Sequence, residues 1–170
     1  EMVVQSGVQF DVFGVQLRFG IPREGCWQRD LFQISSMLDR FAALGKPLMI
    51  SGLQVPSAPA TGAAKEGETG PADAAGMWRR PWSEMLQCKW MEAVTDIALS
   101  KPYVEAICWH ELADATLGAE PVSSMPFGGL ANADLSGKQS LRTWTALRRA
   151  VAGFRAGPPA RPAGGAPPKA

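Results

Sequence analysis

Lys46-Pro47-Leu48-Met49-Ile50-Ser51-Gly52-Leu53-Gln54-Val55-Pro56-Ser57 decides the fold of this chain. Gly45 and Pro47 stop whatever precedes it, and five of the eight residues from Leu48 to Val55 are large and apolar. A short apolar run bounded by breakers reads as a buried strand, here one that runs straight into a proline-bearing loop. Before it, Leu31, Ile34, Leu38 and Phe41, with Leu44 behind them, recur at steps of three and four. That spacing predicts a helix from Trp27 to Leu44, closed by a glycine and a following proline.

The same alternation extends in both directions. Phe10 to Phe19 is rich in Phe and Val and reads as a strand, broken by Gly20, Pro22 and Gly25. After the central strand a second helix is expected from Pro81 to Leu99, with Trp82, Met85, Leu86, Trp90, Ala93, Val94 and Ile97 on its apolar face and Pro81 in its first turn. Val104 to Trp109 reads as a third strand, and Leu141, Trp144, Leu147 and Val151 mark a third helix. Strands are expected near 12–19, 48–55 and 104–109, each followed by a helix. Strand and helix in strict alternation indicate an α/β protein with a parallel sheet and crossover helices. Three strands cannot close a barrel, so their edges and inner face are expected to be open to association. No glycine-rich phosphate loop follows any strand, which removes the nucleotide-binding form of an open sheet.

Composition narrows the remaining classes. The chain has 170 residues, 46% of them hydrophobic, and 17 cations against 16 anions for a net charge of +1. An even balance lacks the basic excess that a nucleic-acid surface needs. No run reaches the roughly 20 apolar residues of a membrane helix, and no signal peptide is legible, so the compartment is left open. Cys26, Cys88 and Cys108 lie far apart, and His110 is the sole histidine. Neither a zinc site nor any other metal or cofactor site is expected from that set. Cys88 and Cys108 read as small core residues. Residues 58–76 and 154–170 are dominated by Gly, Ala and Pro; both are expected to be disordered, the second as a tail beyond an ordered portion spanning 1–153.

Four segments, in order, resemble the C-terminal part of family 10 glycoside hydrolases, the xylanase barrels. Residues 6–16, Ser-Gly-Val-Gln-Phe-Asp-Val-Phe-Gly-Val-Gln, resemble the approach to the family's sixth strand, written Gly-Leu-Gln-Gly-His. Gln16 matches its glutamine and Arg18 replaces its histidine. Ile50-Ser51-Gly52-Leu53-Gln54 resembles the seventh strand, Ile-Thr-Glu-Leu-Asp, so Gly52 stands where the family keeps its nucleophilic glutamate. Val104 to Trp109 resembles the eighth strand, and Trp109 matches a tryptophan that packs against sugar rings. Gly129 to Lys138 resembles the closing segment, with Asp134 and Lys138 in place.

The resemblance implies a partial (β/α)8 TIM barrel, its C-terminal three β/α units, whose upstream part lies outside this chain. It implies a glycosidase-like protein with a polysaccharide or oligosaccharide partner and no cofactor, touched by Gln16, Arg18, Gln54 and Trp109. Retaining hydrolysis needs two carboxyl groups about 5 to 5.5 Å apart. The family's acid/base residue belongs to the fourth strand, and glycine has no side chain to attack a sugar. This chain is therefore expected to be inactive by the standard mechanism. Glu111 is the candidate stand-in, with a solvated or ion-paired loop acid as the simpler reading. Arg18 is read either as a ligand contact or as an ion pair with Glu24, Glu111 or Asp114. A non-catalytic carbohydrate-binding descendant and an unrelated α/β interaction module are the alternative readings.

Overall fold

Alternation of apolar residues places three strands side by side: β1 (Phe13–Arg18), β2 (Leu48–Gln54) and β3 (Val104–Trp109). The computed structural model describes residues 7, 9–21, 24–59, 77–115 and 125–155. The strands form one parallel sheet in the order β1-β2-β3. Helices α1 (Leu31–Ala42), α2 (Glu84–Leu99) and α3 (Gln139–Arg155) follow them in turn. Each strand expected from the sequence is present to within a residue or two. The segment expected to be loose falls outside the described residues from position 60 to 76, and the tail from 156 onward does so too.

Helix starts are set by side-chain caps rather than by the apolar pattern. Asp30 accepts the Gln33 backbone N–H at 2.7 Å and Gln33 reaches back to the Asp30 N–H, a reciprocal capping box. That cap starts α1 at Leu31, four residues later than the periodicity predicts, and leaves Trp27 exposed outside it. Ser83 likewise caps α2 through the Leu86 N–H, so Pro81 precedes the helix instead of occupying its first turn. Gly45, at φ 66°, turns the chain out of α1 as a C-terminal glycine does.

The apolar stripe of α2 also differs from expectation. Trp90 and Val94 are buried as predicted, but Met85 is exposed and Gln87, Cys88, Met91, Thr95 and Ala98 are buried. The reason is that α2 packs against α1, β3 and α3 together, so more than one stripe is covered. Burial pushes the Cys88 thiol up, partly opposed by a hydrogen bond with Thr143 of α3. Gln87 Nε2 donates to the Val55 carbonyl at 2.8 Å and ties α2 to the end of β2.

The core lies between the sheet and the helices. Leu17, Phe19, Leu48, Ile50, Leu53 and Val55 from the sheet side meet Ile34 and Leu38 of α1 and Trp90, Val94 and Ala98 of α2. On the opposite face Gly14, Gln16 and Ser51 are exposed. Among the described residues, the outer edges of β1 and β3 pair with no other strand.

Candidate functional site

A one-residue bulge creates the site. Val15 pairs with Ile50 but Gln16 pairs with Gly52, so Ser51 is the extra residue on β2. Bulges re-aim side chains at the ends of strands. Here the shift leaves Ile50 and Leu53 in the core and turns Gly52 toward the open face. A Cβ at Gly52 would lie 3.4 Å from Gln16 Cγ and 3.6 Å from His110 Cβ, both ordinary contact distances. Gly52 is thus a buried position, flanked by Gln16 and His110, with room for a side chain.

His110 follows β3, and its Nε2 lies 3.2 Å from Glu111 Oε1. Both side chains are partly exposed. Gln16, Gly52, His110 and Glu111 therefore form one linked group at the C-terminal ends of the strands, the end at which parallel α/β sheets build their sites. His110 is a neighbour that the sequence reading passed over. The signal was its parity with Cys108 on β3, on the opposite face from Ile107 and Trp109, which pack against the core.

Arg18 and Gln54 form a separate pair. Arg18 Nε donates to Gln54 Oε1 at 2.9 Å, and Gln54 is fully buried. Of the acids named for Arg18, Asp114 pairs with Lys138 and Glu111 with His110. Gly128 allows the approach of Gln54, because a Cβ there would fall 2.4 Å from Gln54 Nε2. Among the described residues that Nε2 has no hydrogen-bond partner.

Trp109 is anchored to the loop before α3 and to α3 itself. Its Nε1 donates to the Gly128 carbonyl at 3.0 Å, its ring centroid is 6.1 Å from that of Trp144 on α3, and it packs against the core.

The strand ends are held by a buried charge. Lys138 Nζ lies 2.7 Å from Asp114 Oδ1 and donates to Ser57 Oγ at 2.9 Å and to the carbonyls of Gly129 and Phe127. Asp114 Oδ1 also accepts the Gly129 N–H at 2.8 Å. The side chains are 2% and 9% exposed. One ammonium thereby joins the loop after β2, the loop after β3 and the approach to α3. Asp114, weighed as a rim acid, is spent on this clamp. Asp134 instead accepts from Ser136 on the surface, which lowers its carboxyl below the usual value. Among the described residues no group of three His, Cys, Asp or Glu side chains is placed to hold a metal ion.

No protein-family model matches the chain, and no curated protein is similar to it. Solved structures do resemble it. The β-glucuronidase of Faecalibacterium prausnitzii superposes with a TM-score of 0.55 at 18% identity, over 83% of this chain and 22% of that one. A Bifidobacterium dentium β-glucuronidase complexed with coumarin-3-O-glucuronide gives 0.55 at 19% identity, over 85% and 21%. The β-D-glucuronidase of Dictyoglomus thermophilum gives 0.52 at 14%, over 82% and 22%. The chain spans about a fifth of the length of these proteins. At such identities the likeness concerns the fold: a small parallel sheet with three helices, as in a piece of a glycoside-hydrolase barrel.

Proposed function

We propose that this chain is the C-terminal portion of a glycosidase-type barrel that holds a saccharide at its strand ends and does not by itself cleave it by double displacement. The observation that carries the reading is Gly52. It is buried at the end of the central strand, between Gln16 and His110, with space for a side chain and no carboxylate in it. A retaining glycosidase attacks the sugar carbon with a carboxylate at such a position and protonates the leaving oxygen with a second. Gln16 offers an amide for sugar hydroxyls, and the Arg18–Gln54 pair shapes the wall beside it. Glu111, held against His110, is the candidate stand-in acid. The motif order favours a xylan-type chain as ligand, and the β-glucuronidase neighbours favour uronate-bearing glycosides as a related class.

Hydrolysis of aryl xylosides and aryl glucuronides by the 170-residue chain tests this reading, and none is expected. In a barrel completed by its upstream strands, Gly52→Glu is expected to raise turnover, and azide to substitute for the missing nucleophile where an acid/base glutamate is present. The introduced carboxylate would face Gln16 and His110, with Arg18 engaged by Gln54. A covalent glycosyl intermediate trapped on the unmodified chain would refute the proposal. So would robust hydrolysis that Glu111→Gln abolishes.

A further inference from the structure

A cavity of about 490 Å³ opens between the connection after β1 and the approach to α2. Its walls are Gln28 to Phe32 on one side and Met77, Trp78 and Arg79 on the other. That volume falls within the range of small-molecule sites, roughly 300 to 1,000 Å³. One wall is the end of the connection after β1 with the first turn of α1, and the other is the connection after β2, so the cavity lies on the same end of the sheet as Gly52.

Two guanidinium groups line it. The Arg79 guanidinium sits 5.2 Å above the Trp78 ring, and that of Arg29 lies 6.0 Å from the centre of Phe19. Neither has a hydrogen-bond or ion-pair partner among the described residues. The aromatic rings hold them by cation–π attraction, which leaves the N–H edges of each planar fork available. Asp30, the one acid in the lining, already accepts the Gln33 N–H as the cap of α1. Gln28 adds a buried amide oxygen with no partner among the described residues, suited to a hydroxyl donor, and Phe32 is 81% exposed and presents an apolar face. Two unpaired cations, a hydroxyl acceptor and an open aromatic ring make a combined match for a sugar that carries an acid group.

We propose that this cavity binds the carboxylate-bearing residue of an acidic saccharide chain, with Arg29 and Arg79 on the carboxylate and Phe32 against the sugar ring. It rests on the saccharide reading above and adds a second binding site, away from Gly52, at which an acidic sugar unit is told from a neutral one. The bidentate geometry of Arg with carboxylate selects for the planar acid group.

Calorimetric titration of the full 170-residue chain with two xylo-oligosaccharides of equal length, one neutral and one bearing a glucuronic acid branch, is the test. The acidic ligand is expected to bind at least about tenfold tighter, the advantage of one charge-assisted contact. Arg79→Gln and Arg29→Gln are each expected to erase that preference, and Arg79→Lys to restore only part of it. Gln16→Ala is expected to weaken both ligands alike and leave the ratio unchanged. Equal affinity of the two ligands, or a preference that survives the double Gln variant, overturns the proposal. Binding of oligoglutamate or inorganic sulfate as tight as the acidic sugar overturns it too, by reducing the site to a plain anion patch. Neutral and acidic ligands that both bind, equally, through Gln16 would sink this proposal while leaving the saccharide reading standing. No binding of either would sink both.

Discussion

The two faces of β2 are built on opposite terms. Toward the helices, Leu48, Ile50, Leu53 and Val55 are all but inaccessible and meet Trp90, Ile34 and Leu38. Toward the open side, Ser51 is exposed and Gly52 leaves room beside Gln16 and His110. One residue of bulge separates the two regimes, so the strand can keep its core register while presenting a different face at its end. The contrast teaches that stability is concentrated on the helix side and that the open side can be altered at small cost.

The sharpest way to break that contrast is through the core. Trp90→Ala is expected to cost about 3 to 5 kcal/mol, by lost transfer energy and a residual cavity. A denaturant midpoint that barely moves would show that the helix layer is not the seat of stability. Lys138→Met comes next. It leaves Asp114 buried without its cation, a loss on the order of 3 kcal/mol, whereas adding Asp114→Leu should recover much of it. If the double variant is no more stable than the single, the clamp is not acting as an ion pair.

Glycines sharpen the comparison further. A Cβ at Gly129 would fall 2.4 Å from the Ala113 backbone carbon, which cannot yield as a flexible side chain does. Gly129→Ala is therefore expected to cost about 2 kcal/mol, in the range of overpacked sites. Gly52→Ala meets only ordinary contacts and should change stability by less than about 1 kcal/mol. Equal losses at the two positions, measured by urea unfolding, would erase the distinction between clamped loops and open face.

The smallest effect lies away from both faces. Tyr103, the sole tyrosine, donates to Asp39, which Lys101 also holds. Partial burial and the Asp39 carboxylate push the phenol up to about 12 from 10.0. Its folded value is raised, so the associated stability is whole below pH 10.0 and is lost as pH climbs through about 12. Phenolate absorbance should rise near pH 12 and shift lower in Asp39→Asn, with the part due to burial remaining. Asp39 itself is held below the usual carboxylate value by Lys101 and then by Tyr103. Its contribution is accordingly present at neutral pH and fades only as the solution becomes acidic enough to protonate it.

Much of the architecture was legible in the order of residues. The strands around Val15, Ile50 and Ile107 and the helices around Leu38, Val94 and Leu147 follow from apolar spacing bounded by glycine and proline, because backbone periodicity and burial leave a direct imprint on sequence. Gly52 was legible as well, since the absence of a carboxylate needs no coordinates. What only the tertiary structure decided are the pairings across long separations. Arg18 reaches Gln54, Trp109 turns to Trp144, and Lys138 reaches Asp114, Ser57 and two carbonyls at once. The bulge at Ser51 is of the same kind, as is the cavity shared by Arg29 and Arg79. Each depends on the relative placement of elements tens of residues apart, and no local pattern encodes which of several available partners a long polar side chain will reach.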